Sequence, residues 1–321
     1  MYKLIADSGS TKTDWVWVDA EGKIVLRHQS VGLNPYHLDE EQIVAELRQV
    51  ASCMDDAGLA GKDCVKEVHF YGSGVTEAMK PLMESLLQGT FANAECHAES
   101  DLLGAARALF GHDKGFAVIL GTGSNSGCYD GQKIVCSMPP LGYILGDEGS
   151  GTAIGKVFLK YILRCSDAEP LKELFFKTTG LDYAGIINKV YREPQANKFL
   201  ASIAKFVGDQ LENLRQLRKK YGLEESERIY SCPSLSEEDL PYAVACNNLE
   251  SIIRELLDEA TNDMFDYYYY EVGKEFVNYP WGYVGSIAAH FATYFAVDEP
   301  EDNCCEVVLQ SPIERLAAFH S

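Results

Sequence analysis

Within seven consecutive residues, Asp7-Ser8-Gly9-Ser10-Thr11-Lys12-Thr13, the sequence sets a carboxylate, four hydroxyls and an amine around one glycine. The apolar run Tyr2 to Ala6 predicts a short strand that delivers Asp7 at its carboxyl end. Gly9 allows a tight turn and a close approach of the backbone. The hydroxyls of Ser10, Thr11 and Thr13, with the charge of Lys12, suit the β- and γ-phosphates of ATP. Asp7 is placed to orient Mg²⁺, usually through water, because that ion keeps much of its hydration shell. The Walker A spacing is absent and no helix follows directly, so a plain hairpin turn accounts for this segment equally well.

A second segment changes that balance. Phe116 to Leu120 predicts a strand, and Gly121-Thr122-Gly123-Ser124 a small-residue turn in the matching place. The parallel runs further. Trp15 to Val18, a turn at Glu21-Gly22 and Ile24 to Leu26 follow the first turn. Gly127 to Tyr129, a turn at Asp130-Gly131 and Ile134 to Cys136 follow the second. Strand, small-residue turn, strand, turn, strand thus occurs twice, about 110 residues apart. Two such turns facing across a cleft would hold a nucleotide's phosphates from both sides.

Three acids are candidates for proton transfer. Asp101 follows the short strand Glu95 to Ala98 and opens a helix over 101–110. There it is either a first-turn acid or the general base that takes the acceptor hydroxyl's proton. Asp147 and Glu148 sit among glycines in Gly142 to Gly151, just before a helix over 149–163. One of them caps that helix on the plainer reading, and the other meets the hydroxyls of a bound polyol. Spacing does not choose among the three. Gly285-Ser286 marks a strand-to-helix junction where an adenine could approach the backbone, although an N-cap at Ser286 explains it as simply.

The elements that must position these groups alternate between strands and helices. Helical spacing marks 76–88, 168–178, 182–192, 196–220 and 248–272, with strands at Val68 to Tyr71, near Tyr283-Val284 and at Val307 to Leu309. Residues 221–245 are acidic and turn-rich and read as a surface excursion, and the Tyr267 to Tyr270 run reads as packing. Two halves that each begin with a three-strand meander predict two related α/β domains, 1–112 and 113–321, hinged near His112-Asp113-Lys114-Gly115. A ligand cleft belongs between them.

Composition narrows the partners. Lys and Arg number 28 against 48 Asp and Glu, a net charge of −20, which argues against nucleic acid and anionic membrane surfaces. No apolar run approaches the roughly 20 residues that span a bilayer, and Asp7 interrupts any secretory core at the N-terminus. The ten cysteines show no C-x-x-C pair and read as reduced, mostly buried thiols of a cytoplasmic protein. The histidines share no metal-ligand spacing.

The segments Asp7 to Thr13, Gly121 to Asn125, Gly142 to Gly151 and Val284 to Ala288 resemble the phosphate-1, phosphate-2, connecting and adenosine motifs of the actin-like ATPase superfamily. Within it the chain is most similar to the N-acetylglucosamine kinase group, classed with BadF/BadG/BcrA/BcrD-type ATPases. Ile119 to Ser126 followed by Gly146 to Gly151 carries most of that likeness, and the order of segments matches over nearly the whole chain. The resemblance implies two ribonuclease H-like domains with an interdomain cleft, the second enriched in helices. It implies ATP and Mg²⁺ as cofactors and transfer of the γ-phosphoryl to the 6-hydroxyl of an amino sugar, with domain closure excluding water. Asp101 aligns with the catalytic aspartate. Ser8, Gly9, Ser10, Thr11, Lys12, Thr13, Gly121, Thr122, Gly123, Gly285 and Ser286 align with the ATP-binding motifs, and Asp7 with the metal-orienting position. Asn34, Asn125, Asp147 and Glu148 align with sugar contacts. Ser8 stands where many members have glycine. N-acetylglucosamine is the expected acceptor, with N-acetylmuramic acid as rival sugar and an activator-type ATPase as rival class. A homodimer is among the assemblies open to such a chain.

Overall fold

The computed structural model describes residues 1–59, 61–224, 229, 235–273, 279–294 and 307–321. Two five-stranded sheets organise them. In the first, β1 (Tyr2–Ser8), β2 (Lys12–Val18) and β3 (Ile24–Val31) form an antiparallel meander, and β4 (Val65–Gly72) and β5 (Glu95–Ser100) run parallel to β1, in the order β3-β2-β1-β4-β5. The second repeats it. There β6 (Gly115–Leu120), β7 (Ser124–Tyr129) and β8 (Ile134–Ser137) form the meander, and β9 (Trp281–Val284) and β10 (Val307–Leu309) run parallel, in the order β10-β9-β6-β7-β8. The duplicated strand pattern of the sequence is therefore a duplicated topology.

The residue patterns explain the layers. In β1, Leu4, Ile5 and Ala6 are all fully buried, as a central strand covered on both faces requires. In β3 half-buried and exposed residues alternate, as on an edge strand with one wet face. One face of the first sheet is covered by α1 (Glu40–Asp56) and α2 (Lys80–Thr90), with Trp15, Trp17, Leu47 and Met83 in the shared core. Asp39 starts α1 with a capping box, its carboxylate accepting from the Gln42 N–H at 2.8 Å. In the second half, α5 (Gly151–Arg164), α6 (Glu169–Thr179), α7 (Tyr183–Tyr191), α8 (Ala196–Tyr221) and α9 (Asp239–Glu271) build a larger core against β6.

Two helices join the sheets. α3 (Asp101–Phe110) leaves the first sheet and packs Leu102, Leu103, Ala106 and Leu109 on Ala117, Tyr129 and Val284 of the second. α11 (Ile313–Phe319) returns to the first sheet, setting Ile313 and Leu316 against Ile5, Val16 and Val18. The short α4 (Gly142–Leu145) and α10 (Ser286–His290) lie at the sheet edges that carry the glycine motifs.

Two sequence expectations change. The excursion at 221–245 ends earlier than expected, because α9 already begins at Asp239 and takes in Pro241. Proline is tolerated there, since first-turn N–H groups have no intrahelical partner; residues 225–228 and 230–234 fall outside the described residues. The thiols are less buried than expected: among the described residues Cys128 and Cys246 are buried, Cys165 is exposed, and four others are intermediate. Three of the seven histidines, unrelated in sequence, meet in space. His69 stacks on His97 and on His320, with ring centroids 5.2 and 3.7 Å apart. Burial, aided by the charges of His69, Arg107 and Lys3, pushes His320 down to about 3. Among the described residues no helix is long and apolar enough to cross a membrane, and no group of side chains forms a ready-made metal cluster.

Candidate active site

The first turn, 9–11, joins β1 to β2 as a hairpin closed by the Gly9 N–H donating to the Lys12 carbonyl at 2.9 Å. Its hydroxyls divide into two sets. Ser10 is half-buried and Thr11 exposed. Ser8 and Thr13 are buried at 1% and 0% exposure, with their hydroxyls 2.8 Å apart. Thr13 Oγ1 donates to the Val31 carbonyl at 2.8 Å, and Ser8 Oγ accepts from the Leu33 N–H at 2.9 Å. These two side chains therefore brace the hairpin from beneath and face away from a ligand above it. Lys12 is drawn to Asp14 at 2.8 Å, and Gln29 donates to the other Asp14 oxygen at 2.7 Å.

The loop that carries Asn34 rests on this hairpin. A Cβ on Gly32 would lie 2.3 Å from the Gly9 carbonyl oxygen, so only glycine permits the approach. Asn34 is itself buried; its Oδ1 accepts from the Tyr36 N–H at 2.9 Å.

The second turn is held differently. The start of α5 clamps it: Gly151 N–H donates to the Gly121 carbonyl at 2.9 Å, and Thr152 gives its N–H and Oγ1 to the Thr122 carbonyl at 3.2 and 3.0 Å. Asp147, at φ 58°, accepts from the Ser124 N–H at 3.2 Å. Neither Asp147 nor Glu148 caps α5; Ser150 does, accepting from the Ala153 N–H at 3.3 Å. Asn125 Oδ1 accepts from the Ser126 N–H at 2.9 Å. Asn125, Asp147 and Glu148 line one cleft, together with apolar Met138, Leu141 and Met264.

The two turns face one another. Thr11 Oγ1 lies 3.3 Å from Thr122 Oγ1, although 111 residues separate them. Gly285, at φ 124°, abuts the root of the second turn, where a Cβ would lie 2.2 Å from the Leu120 carbonyl oxygen. Gly285 is also the N-cap of α10, so Ser286 is the first helical residue and its side chain makes no cap bond. The adenosine-type glycine thus sits beside the phosphate-type turn, and Ser286 is exposed next to it.

Two acids meet beneath the first turn. β1, β4 and β5 end level, with Ser8, Gly72 and Ser100 in register, so Asp7 near the end of β1 and Asp101 at the start of α3 reach the same edge. Burial first, then the charges of Asp101 and Asp14, push the Asp7 carboxyl up to about 7, against the opposing pull of Lys12. Burial pushes Asp101 up to about 6, although the Leu102 N–H donates to its Oδ1 at 2.8 Å. Crowded, dehydrated carboxylates of this kind match a divalent cation, which would offset their charge.

Sequence reasoning missed Asp14, Gln29 and Thr152. No ligand motif marks them. Asp14 follows Lys12 by two residues on the same face of β2, and Gln29 stands opposite Asp14 in the β2–β3 register.

The architecture defines a class, the two-lobed actin-like ATPase fold. No family model matches the chain. It is 28% identical over 181 residues to the N-acetyl-D-glucosamine kinase of Dictyostelium discoideum, covering 50% of this chain and 54% of that protein, about half the relative's length. The solved "Putative N-acetylglucosamine Kinase" of Porphyromonas gingivalis is 33% identical and superposes with a TM-score of 0.78, over 99% of this chain and 98% of that one. A "Putative N-acetylglucosamine Kinase" from Chromobacterium violaceum shares the fold at 16% identity, with a TM-score of 0.65 over 100% of this chain and 99% of its own. The chain belongs to the N-acetylglucosamine kinase-like family.

Proposed function

We propose that this protein is a kinase that moves the γ-phosphoryl of ATP to the 6-hydroxyl of N-acetylglucosamine. The observation that carries the reading is the meeting of the two small-residue turns at Thr11 and Thr122, above the acid pair Asp7 and Asp101. In this reading the Gly9 and Gly121 N–H groups close the two turns, on the Lys12 and Gly123 carbonyls, and the remaining N–H groups and hydroxyls of 10–12 and 122–123 meet the phosphates from opposite sides. Ser8 and Thr13 keep the first turn in shape, and Gly285 and Ser286 border the adenosine. Asp7 would orient Mg²⁺, which when bound would neutralise charge on the phosphates. Asp101, with a carboxyl poised near neutrality, accepts the proton of the attacking hydroxyl. Asn125, Asp147 and Glu148 take the sugar hydroxyls, and Asn34 closes on the sugar from the first lobe. The lobes divide at about 1–112 and 113–321, with α11 returning to the first. Catalysis in the cytoplasm, by a homodimer, completes the reading.

The cleft favours a neutral sugar. Its lining carries Asp147 and Glu148 and no Lys or Arg among the described residues, a poor match for the carboxylate of N-acetylmuramic acid. The test is ADP release measured across a panel of sugars. N-acetylglucosamine should stimulate release by at least about 100-fold over the sugar-free rate and N-acetylmuramic acid by far less. Hydrolysis at one rate with every sugar would instead favour the activator-type ATPase and end the kinase reading.

A further inference from the structure

The run Tyr267 to Tyr270 lies in the last turns of α9. One of its members does more than pack. Tyr268 is fully buried, its ring edge-on to Phe116 with centroids 4.3 Å apart. Its hydroxyl reaches the point where β7 and β8 part. The β7–β8 ladder has Gly127 opposite Ser137 as its last pair, so the register brings Ser126 and Met138 opposite each other next. Tyr268 stands between them. The Met138 N–H donates to its oxygen at 2.7 Å, and its O–H donates to the Ser126 carbonyl at 2.7 Å. The Ser126 hydroxyl lies 3.0 Å away and donates to the second lone pair. One donor and two acceptor sites are all that a phenol has, and all three are used here.

We infer that Tyr268 is a positioning residue for the acceptor sugar: its hydroxyl is a wedge that bridges β7 and β8 one residue beyond their ladder and so holds open the cleft lined by both strand ends. The residues on either side of the bridge are the cleft's walls. Asn125 precedes Ser126, and Pro139 to Leu141 follow Met138. Without the hydroxyl, two outcomes are available to the backbone. Ser126 C=O and Met138 N–H stay apart and buried without partners, or they pair directly and zip the ladder one residue further. The second relieves the first, since buried main-chain groups without partners are costly. Either way the wall carrying Asn125 and the wall carrying Met138 change their separation. The nucleotide turns, clamped by α5 and braced by Ser8, do not depend on this bridge.

The inference rests on the kinase reading, and its test separates the two. Tyr268→Phe keeps the ring and deletes only the hydroxyl. In the ADP-release assay its KM for N-acetylglucosamine should rise at least about tenfold, while its KM for ATP stays within about threefold. Tyr267→Phe, whose hydroxyl reaches the Ser137 carbonyl at 3.4 Å from a half-buried side chain, should leave both constants unchanged. A merely structural Tyr268 would lower the melting temperature and leave the sugar KM alone, and that result overturns the proposal. Should Tyr268→Phe fail to fold, Ser126→Ala removes one of the three partners and should raise the sugar KM about two- to fivefold; no change there overturns the proposal equally. If the wild-type protein shows no sugar-dependent turnover, the kinase reading fails first. Hydrogen exchange at the Met138 amide then judges the bridge alone, with slow exchange supporting it and exchange at the rate of an open loop refuting it.

Discussion

Asp101→Asn is expected to cut sugar-dependent turnover by about 10²- to 10⁴-fold and to leave ATP affinity within about threefold. The substitution is nearly isosteric. Asn retains an oxygen to accept the Leu102 N–H that Asp101 accepts at 2.8 Å, and Ser100 still caps α3. What it removes is a group able to take a proton. That group is poised for the task, because burial lifts its carboxyl to about 6, close to neutral operating conditions. Below that value the wild-type base is protonated and idle, so kcat should fall on the acid side with an apparent pKa near 6, and the variant's residual rate should show no such limb. Initial rates between pH 5 and 8, with ATP affinity by calorimetry, check both halves. Turnover within about tenfold of wild type would remove Asp101 from the reaction.

Asp7→Asn should have an effect of similar size on turnover, about 10²- to 10³-fold, and an opposite effect on stability. Asp7 is held against burial and against the charges of Asp101 and Asp14, with its carboxyl raised to about 7. In the unfolded chain the same group titrates near the ordinary value of 3.8. Between those two values the folded protein keeps a proton that the unfolded chain releases, so stability falls as pH rises from about 4 through 7 and levels off above it. Asn carries no such charge. In melts without nucleotide or divalent cation, the variant should therefore be more stable than wild type at pH 8, and the gap should close towards pH 4. A variant that is less stable at pH 8, or that keeps wild-type turnover, contradicts the role given to Asp7. The trade-off is the one expected where a binding site holds like charges ready for a cation.

Much of this architecture is legible in the sequence because it is built from local signals. Strand, small-residue turn and strand recur as motifs, and the recurrence became two sheets of one topology. Gly123 and Gly285 were identifiable because close approaches select glycine by itself. The bracing groups were not. Ser8 and Thr13 look like phosphate ligands in the sequence, yet their hydroxyls are spent on each other, Leu33 and Val31. Whether a hydroxyl faces a ligand or the core depends on strand facing, which a turn sequence does not specify. Thr152 and Tyr268 act across 30 and 142 residues, distances over which periodicity carries no information. Asp147 illustrates a middle case. Its place among glycines marked it as special, but the partner it holds, the Ser124 N–H, becomes visible only once both turns are folded.

The account stands on the two turns acting together on one nucleotide. The most direct measurement is a crystal structure with a non-hydrolysable ATP analogue and Mg²⁺. It should show the phosphates hydrogen-bonded on one side to main-chain N–H groups within 9–13 and on the other to those within 121–123, the turns that Thr11 and Thr122 already bring to 3.3 Å. Phosphates held by one turn alone, or bound away from both, would contradict it.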